Sequence, residues 1–328
     1  MFCIVSSTTR LTSFSPLNGP IAETVLPWTS MYVCVSSSSA FNAFVPAAAF
    51  DLGTARAMMW LSQLAYESDH AKIDRIASAW RLDRVIPFAQ LVRTLLPMSE
   101  TCGLIVERSG TLIVAFAGTD PVKPGNLVTD LNAVMSPGDL HRGFEQAMDP
   151  VWDVVDASLS EAGAAGRPIL ITGHSLGAAL AAVTAERALR ESGLRATAIY
   201  AYGMPRTGGS SFAQSYNHNL GAVTYRLVHG ADVVPGVPPR ASGYAHVGRG
   251  LHCGRGKTFD PSDLEAAPGA EEPDAPAGLL GEAAKIARDL FRAPLSPTWR
   301  KDPLGRASTL LLPGIGDHLP DRYIAALA

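Results

Sequence analysis

The sequence predicts an α/β fold in which a mostly parallel sheet carries helices on both faces. Short apolar runs that suit buried strands alternate with longer segments of helical spacing, and this alternation is typical of parallel sheets. One apolar run turns directly into an alanine-rich helical segment at Ser175. With 328 residues, 47% of them hydrophobic, the chain can bury one sizeable core, so we expect one large domain with appendages.

Residues 1–50 are expected to form an irregular or disordered extension ahead of a domain that spans 51–328. The extension is rich in Ser, Thr and Pro, and its only charged residues are Arg10 and Glu23. Prolines and a serine run interrupt its apolar stretches, and no basic segment precedes them, so a signal peptide or membrane span is not the preferred interpretation. Localisation stays open here, with the cytoplasm slightly preferred and secretion as the alternative.

The first part of the domain is predicted to contain two helices and a β-hairpin. Apolar residues recur on one helical face over 55–65 and again over 73–80. The runs 103–107 and 111–116, separated by three turn residues, predict two paired strands. Prolines and glycines between 120 and 139 then predict a long surface loop.

The second part is predicted to add helices, buried strands and a late insertion. Helical spacing resumes over 141–161, and the apolar runs 196–202 and 223–228 suit buried strands. From residue 249 the pattern weakens, and a Pro- and Ala-rich stretch predicts a flexible, cap-like insertion around 255–315. Within it, apolar residues over 279–291 line one face of a helix that packs on the body or, alternatively, contacts lipid.

The stretch Gly173-His174-Ser175-Leu176-Gly177 matches the nucleophile-elbow pattern G-x-S-x-G. The pattern needs a strand before the serine and a helix after it, which the runs 169–171 and 178–189 supply. A side chain at either glycine would collide, because the strand and the helix approach closely there. A glycine-rich packing turn is the alternative interpretation.

A serine hydroxyl becomes a useful nucleophile when a base takes its proton and an acid orients that base. On an α/β-hydrolase sheet these groups follow in the chain order Ser, Asp, His. Asp232 comes shortly after the predicted strand 223–228, and His318 lies in a late loop before the last predicted helix. The chain order favours Asp232 and His318 but does not exclude other residues. The competing bases are His229, His246 and His252, and the competing acids are Asp260, Asp263 and Asp321.

The oxyanion that forms when a serine attacks a carbonyl group needs two hydrogen-bond donors. The Leu176 amide is one candidate, because it lies at a helix N-terminus where main-chain N–H groups have no helical partner. Thr119, after the predicted strand 111–116, offers its amide and its hydroxyl as the second, although an ordinary turn threonine would have the same sequence context. His174 is interpreted as a residue that packs or hydrogen-bonds beside Ser175 rather than as the base.

Other functional classes find little support in the sequence. The net charge is −3 and Lys and Arg form no basic stripe, so no nucleic-acid partner is predicted. The metal motif H-E-x-x-H, the phosphate motif G-x-x-x-x-G-K-[ST] and a helix-opening G-x-G-x-x-G are absent, so no metal and no cofactor is predicted. The four cysteines are far apart and are expected to be free thiols; they are Cys3, Cys34, Cys102 and Cys253.

Several short motifs follow one another from about residue 55 to the C-terminus. They are Phe116-Ala117-Gly118-Thr119, Thr129-Asp130-Leu131, His141-Arg142-Gly143-Phe144, Ile171-Thr172-Gly173-His174-Ser175-Leu176-Gly177, Tyr202-Gly203-Met204-Pro205-Arg206-Thr207-Gly208, Asp232-Val233-Val234-Pro235 and Asp317-His318. Each is modest alone. In this order they resemble the class 3 lipase family, the fungal-type triacylglycerol lipases and their bacterial and plant relatives.

The resemblance implies an α/β-hydrolase fold and a complete set of catalytic residues. It makes Ser175 the nucleophile, Asp232 the acid, His318 the base, and Thr119 with Leu176 the oxyanion donors. It also makes His246 a structural position, which weakens that competitor. The implied activity is that of a serine carboxylester hydrolase, a lipase that acts on acylglycerol esters through an acyl-enzyme.

Alternatives exist within and outside this class. A phospholipase A1 or a small-ester esterase would use the same scaffold, and a non-catalytic lipid-binding or regulatory protein would keep the fold without the activity. The sequence departs from the family pattern at Ala117, where Arg is common. It also has a polar, proline-broken segment over 120–126 in place of an amphipathic lid helix. Strong interfacial activation is therefore not expected, and the insertion before His318 is the candidate cap. The expected partners are a lipid or ester substrate and, transiently, a membrane or lipid-droplet surface.

Overall fold

The computed structural model describes residues 39–92, 100–118, 135–136, 138–270, 273–274 and 313–328. Within these residues a seven-stranded sheet is flanked by helices on both faces, which confirms the predicted fold class. None of the described helices is long and apolar enough to cross a membrane. The segment 119–134 and the predicted helix 279–291 lie outside the described residues.

The helices and strands agree with the sequence pattern over most of the chain. The described helices are α1 (Leu52–Leu64), α2 (His70–Ala79), α3 (Arg142–Met148), α4 (Trp152–Ala164), α5 (Leu176–Ser192), α6 (Ser210–Asn219), α7 (Pro313–Gly316) and α8 (Pro320–Ala326). The described strands are β1 (Arg84–Leu91), β2 (Glu100–Arg108), β3 (Thr111–Phe116), β4 (Ile169–His174), β5 (Ala198–Tyr202), β6 (Gly208–Gly209), β7 (Thr224–His229), β8 (Tyr244–Ala245) and β9 (Arg249–Cys253). Every helix and strand predicted between residues 52 and 229 is present, with ends that differ by a few residues.

The main sheet runs in the order β1-β2-β3-β4-β5-β7-β9, and β6 pairs with β8 in a separate two-stranded sheet. β1, β2 and β3 are antiparallel neighbours, whereas β3, β4, β5, β7 and β9 are parallel. Phe116 lies beside Gly173, and Gly173 lies beside Ala201. Parallel strands end at the same edge of a sheet, so the chain leaves β3, β4, β5 and β7 at this one edge. The predicted nucleophile and the predicted acid follow β4 and β7 at this edge.

The central strands lie between two apolar layers, one on each face of the sheet. In β4, Ile169 and Ile171 contact the layer formed with α3 to α6, and Leu170 contacts the layer formed with α1, α2 and α8. The alternation follows from the two-residue period of an extended chain. All three side chains are buried, which is why the strand has the continuous apolar sequence of a central parallel strand.

The sequence pattern did not predict β1, α6 or β9. β1 contains Pro87, which is tolerated because an edge strand pairs on one side only. α6 is mostly polar and buries a small set of apolar residues, namely Phe212, Ala213 and Tyr216. β9 is short and combines Gly250 with an exposed His252, so its alternation is hard to recognise.

The packed body begins before the boundary expected at residue 51. Residues 39–50 form no helix or strand, in keeping with an irregular segment. However, Phe41 is buried, and its ring centroid lies 5.6 Å from that of Trp80. Part of the segment 39–50 therefore packs on the body.

The start of the late insertion also packs on the body, although a flexible, cap-like segment was expected around 255–315. Phe259 is buried, and its N–H donates to the Ala326 carbonyl over 2.9 Å. Further along, the Asp274 carboxylate lies 2.9 Å from the guanidinium of the fully buried Arg206. The described part of the insertion is thus held by buried apolar and charged contacts.

Candidate active site

The predicted nucleophile elbow forms the sharp turn that its sequence pattern requires. β4 ends at His174, α5 begins at Leu176, and Ser175 between them has φ 61° and ψ −130°. Positive φ is strained for a residue with a side chain. The Ser175 N–H donates to the Tyr202 carbonyl over 2.8 Å and so ties the turn to β5.

Two glycines let β4 and α5 approach each other at this turn. A Cβ on Gly173 would lie 2.1 Å from the Gly177 carbonyl oxygen. A Cβ on Gly177 would lie 2.5 Å from the Phe116 carbonyl oxygen. The collisions expected from the sequence are therefore present at both positions, since either methyl group would overlap main-chain atoms.

Ser175, His318 and Asp232 form one chain of hydrogen bonds. His318 Nε2 lies 2.8 Å from Ser175 Oγ, and His318 Nδ1 lies 2.8 Å from Asp232 Oδ2. The side chains of His318 and Asp232 are 5% and 0% exposed. When Nδ1–H donates to the carboxylate, Nε2 is left to accept the serine proton. This is the geometry that a nucleophile, a general base and an orienting acid require.

The buried Asp232 carboxylate accepts hydrogen bonds from further donors, including one that no sequence pattern predicts. Oδ1 accepts the Val234 N–H over 2.9 Å, and Oδ2 accepts the Tyr323 hydroxyl over 2.5 Å in addition to His318. A buried charge needs such partners to offset the loss of water. Tyr323 is itself fully buried on α8. In a short helix, a tyrosine has the sequence signature of a core residue, so only the fold reveals its contact with Asp232.

His174 links the elbow to the segment that carries His318. Its Nε2 lies 2.7 Å from the His318 carbonyl oxygen, and its Nδ1 lies 3.0 Å from the Tyr66 hydroxyl. Because a carbonyl can only accept, Nε2 carries the hydrogen and Nδ1 accepts from Tyr66. Burial, reinforced by the neighbouring His318, lowers the pKa of His174 well below its usual range. His174 is therefore a neutral residue that holds the main chain of the predicted base.

The structure describes one side of the predicted oxyanion hole. Leu176 is the first residue of α5, where main-chain N–H groups have no partner within the helix. Gly118 follows β3 and approaches so closely that a Cβ there would lie 2.9 Å from the Ser175 Cβ. Thr119 comes next in the chain but lies outside the described residues, so its place as the second donor stays a prediction.

The competing histidines and carboxylates have other surroundings. His229 Nδ1 and His246 Nε2 face main-chain carbonyl oxygens at 3.4 Å and 2.8 Å, and the His252 side chain is 47% exposed. Asp260 caps a short 3-10 helix that ends at Asp263, and Asp321 accepts a hydrogen bond from a glutamine on α1. Among the described contacts, none joins these six groups to Ser175.

Metal-binding clusters and disulfides are not seen in the described ranges. There, no group of three or more His, Cys, Asp or Glu side chains is arranged to hold a metal ion. Cys102 and Cys253 carry free thiols. Cys3 and Cys34 lie outside the described residues.

The chain matches known lipases over part of its length. The model of the lipase (class 3) family matches residues 113–242, which include Ser175 and Asp232. The secreted mono- and diacylglycerol lipase 1 of Fusarium solani is 30% identical over 207 residues, or 58% of this chain and 61% of that protein. The secreted mono- and diacylglycerol lipase LIP1 of Malassezia globosa is 37% identical over 113 residues, or 33% of this chain and 36% of that protein.

These matches span less than two thirds of the relatives' own length. Among solved structures, a mono- and diacylglycerol lipase from Aspergillus oryzae shares the fold with a TM-score of 0.52 at 21% identity, over 68% of this chain and 87% of that chain. At such identity the likeness concerns the fold alone. Taken together, the comparisons show the α/β-hydrolase fold and a similarity to class 3 lipases that the family model places over residues 113–242, less than half of the chain.

Proposed function

We propose that the protein is a serine carboxylester hydrolase that cleaves acylglycerol esters through an acyl-enzyme. The observation that carries this proposal is the unbroken hydrogen-bond chain from Ser175 through His318 to Asp232. These three hydrogen-bonded residues lie at the strained turn of the nucleophile elbow, at the edge of the sheet where the parallel strands end. The names of the relatives support lipid esters as the substrate class.

In the proposed first step, Ser175 Oγ attacks the ester carbonyl carbon. His318 Nε2 takes the hydroxyl proton, and Asp232 stabilises the imidazolium that results. The carbonyl oxygen becomes an oxyanion and accepts hydrogen bonds from the Leu176 N–H and from Thr119. The oxyanion then collapses and the bond to the leaving alcohol breaks, with His318 donating the proton. Finally His318 takes a proton from a water molecule that attacks the acyl carbonyl carbon. The bond to Ser175 Oγ then breaks, His318 returns the proton to that oxygen, and the carboxylic acid leaves.

The residues around the triad support this movement of charge. Positive charge on His318 is favoured by the Asp232 carboxylate, whose other lone pairs are occupied by Val234 and Tyr323. The His174 ring centroid lies 4.6 Å from that of His318. Because burial keeps the pKa of His174 low, its ring stays neutral and does not repel the imidazolium.

Mono- and diacylglycerols are the first substrates to test, since both relatives are named for them. Phospholipase A1 and small-ester esterase activities would use the same three residues. The profile over acyl chain length and head group decides between these activities. The proposal also includes a transient contact with a lipid surface, because long-chain esters collect in lipid phases rather than in water.

We infer that the protein is secreted, because both relatives are named secreted lipases. The slight preference for the cytoplasm finds no support in them. Immunoblots of culture medium and of washed cells would test the inference. Protein confined to the cell fraction would contradict it.

The hydrolysis of p-nitrophenyl esters from acetyl to palmitoyl, by wild type and Ser175→Ala in parallel, tests the proposed activity. We expect kcat to fall by about 10⁶ in the variant, as when the nucleophile of a serine protease triad is removed. A fluorophosphonate, which reacts covalently with activated serines, should label the wild type alone. A wild type that is unlabelled and silent on these esters, on acylglycerols and on phospholipids would indicate a binding or regulatory role instead.

A further inference from the structure

Asp317 and Arg255 form an ion pair beside the triad that the proposed mechanism does not use. Asp317 Oδ2 lies 2.6 Å from Arg255 Nη2, and Asp317 Oδ1 lies 3.0 Å from Arg255 Nε. The guanidinium therefore binds the carboxylate through two donors. Such bidentate pairs fix the direction as well as the distance between the partners. The Asp317 side chain is only 6% exposed, so its orientation is set by these protein contacts.

The same carboxylate binds the main chain next to the predicted acid. Asp317 Oδ2 accepts the Ala231 N–H over 2.8 Å. Ala231 directly precedes Asp232, and Asp317 directly precedes His318. Gly230 has φ 62°, and a Cβ there would lie 2.4 Å from Asp317 Oδ2, so the glycine lets the carboxylate reach this loop. One side chain thus joins the residue before the acid to the residue before the base.

Arg255 reaches this junction from a third segment of the chain. It lies in the turn after β9, and the last residue of that strand, Cys253, accepts the Gly230 N–H through its carbonyl over 2.7 Å. The Arg255 side chain is 57% exposed. The Asp317 side chain beneath it is buried, so the guanidinium covers the carboxylate from the solvent side. The pair therefore fixes the local geometry around Asp317 and offsets the cost of burying its charge.

We propose that Arg255 and Asp317 are positioning residues for the catalytic base. This inference rests on the proposed function of Ser175, His318 and Asp232. Asp317 sets the direction in which the chain enters His318, and Arg255 holds the Asp317 carboxylate in place. Without the pair, the imidazole keeps its chemistry but loses its alignment with Ser175. Misplacing a catalytic group by about 1 Å can cost roughly 10²-fold in rate.

Arg255→Ala tests the inference, with Arg187→Ala as the matched control. Arg187 also binds a carboxylate, Asp149, over 2.7 Å, but it lies on α5 about 18 Å along the helix from Ser175. We expect kcat of Arg255→Ala to fall about tenfold with KM unchanged, because a partial misalignment affects the chemical step. Arg255→Ala should lose some stability, because the buried Asp317 carboxylate loses its charged partner, and urea unfolding should show that both variants are fully folded under the assay conditions. Millimolar guanidinium chloride should restore most of the lost rate in Arg255→Ala and leave Arg187→Ala unchanged.

Asp317→Asn provides a second test, since it keeps an oxygen for the Ala231 N–H but loses the charge that binds Arg255. Its kcat should fall by a similar factor, and guanidinium should not restore it. Wild-type kcat in Arg255→Ala and Asp317→Asn, or a loss in Arg255→Ala that guanidinium does not repair, would overturn the inference. An active wild type with unaffected variants removes this inference alone, whereas an inactive, unlabelled wild type removes the proposed function together with it.

Discussion

Ser175 and His318 lie within hydrogen-bonding distance, yet the chain holds them by different means. Ser175 is fixed locally, because β4, the turn and α5 are continuous in sequence and two glycines permit their close contact. His318 lies in a short segment between α7 and α8 and is fixed by distant residues. His174 is 144 positions away in sequence and Asp232 is 86 positions away.

Because the two residues are held differently, substitutions around Ser175 and substitutions around His318 should affect different properties, the stability of the fold and the catalytic rate. At the elbow, the atoms that would collide are main-chain atoms of packed elements, which cannot move independently. Around His318, the contacts are single hydrogen bonds from side chains, each of which can be lost while the core stays intact. We therefore expect elbow substitutions to lower stability and substitutions around the base to lower kcat.

Among the substitutions that test this comparison, Asp232→Asn should have the largest effect, a fall in the catalytic rate. The amide keeps the shape of the carboxylate but loses its charge and no longer favours the His318 tautomer that leaves Nε2 free to accept. By analogy with the same change in a serine protease, kcat should fall by about 10⁴. Ester hydrolysis measures the rate, and urea unfolding should give a midpoint near that of the wild type. A kcat within tenfold of the wild type would mean that another group orients His318.

The second largest effect is expected for Gly173→Ala, which should lower the stability of the fold. The added Cβ would lie 2.1 Å from the Gly177 oxygen, so β4 and α5 would have to separate. We expect the free energy of unfolding to fall by about 3 kcal/mol or more. Gly163→Ala is the control, because its Cβ would meet the flexible Leu194 side chain. Urea unfolding compares the two variants, and equal midpoints would show that the elbow adapts to a larger residue.

A smaller effect on the rate is expected for Tyr323→Phe, which removes one donor from the buried Asp232 carboxylate. A hydrogen bond to a charged group contributes about 1.5–3 kcal/mol, so a tenfold fall in kcat is expected when part of that energy stabilises the triad. Tyr216→Phe is the control, since its hydroxyl also has a buried partner, Thr224 Oγ1 at 3.0 Å. Both variants should lose some stability. If kcat falls equally in both, Tyr323 has no particular effect on the triad.

The smallest expected effect concerns pH and His174, the residue that joins the two regions. Burial lowers the pKa of His174 in the folded state, whereas the unfolded chain has the ordinary value of about 6.5. The unfolded chain therefore binds this proton more readily, and stability is lost as the pH falls below about 6.5. Between pH 7.5 and 5.5 the free energy of unfolding should drop by about 1.4 kcal/mol on account of this histidine.

Urea titrations at both pH values should show this drop in the wild type and not in His174→Gln. Glutamine can still donate to the His318 carbonyl but does not titrate. Other groups titrate equally in both proteins, so the difference between the two drops isolates His174. An equal drop in both proteins would contradict a depressed pKa for this residue.

The fold and the elbow could be predicted because both depend on local patterns. The apolar run in β4 predicts a buried strand, and the glycines around Ser175 predict a sharp turn. The predicted fold class is confirmed. The base was different, since chain order alone could not separate His318 from His246. The resemblance to a family, rather than spacing, singled out His318, and the structure brings it to Ser175.

The contacts that hold the triad residues in place could not be predicted, because they produce no periodic pattern in the sequence. The hydroxyl of Tyr323 reaches a carboxylate 91 positions away, and the Tyr66 hydroxyl reaches a ring 108 positions away. Arg255 follows β9, a strand that the weak sequence pattern of this region does not predict. The position of Arg255 in the fold, and so its ion pair with Asp317, could not be predicted either. Such contacts follow from the completed fold, whereas sequence patterns report neighbours along the chain.

Heat resistance and turnover make opposite demands on position 175. A backbone with φ 61° and ψ −130° is costly for any residue with a side chain and readily adopted by glycine. A screen that rewards survival at high temperature alone would therefore favour glycine at this position and discard the nucleophile. Engineering a more durable form of this chain thus requires a readout of ester cleavage at every round of selection.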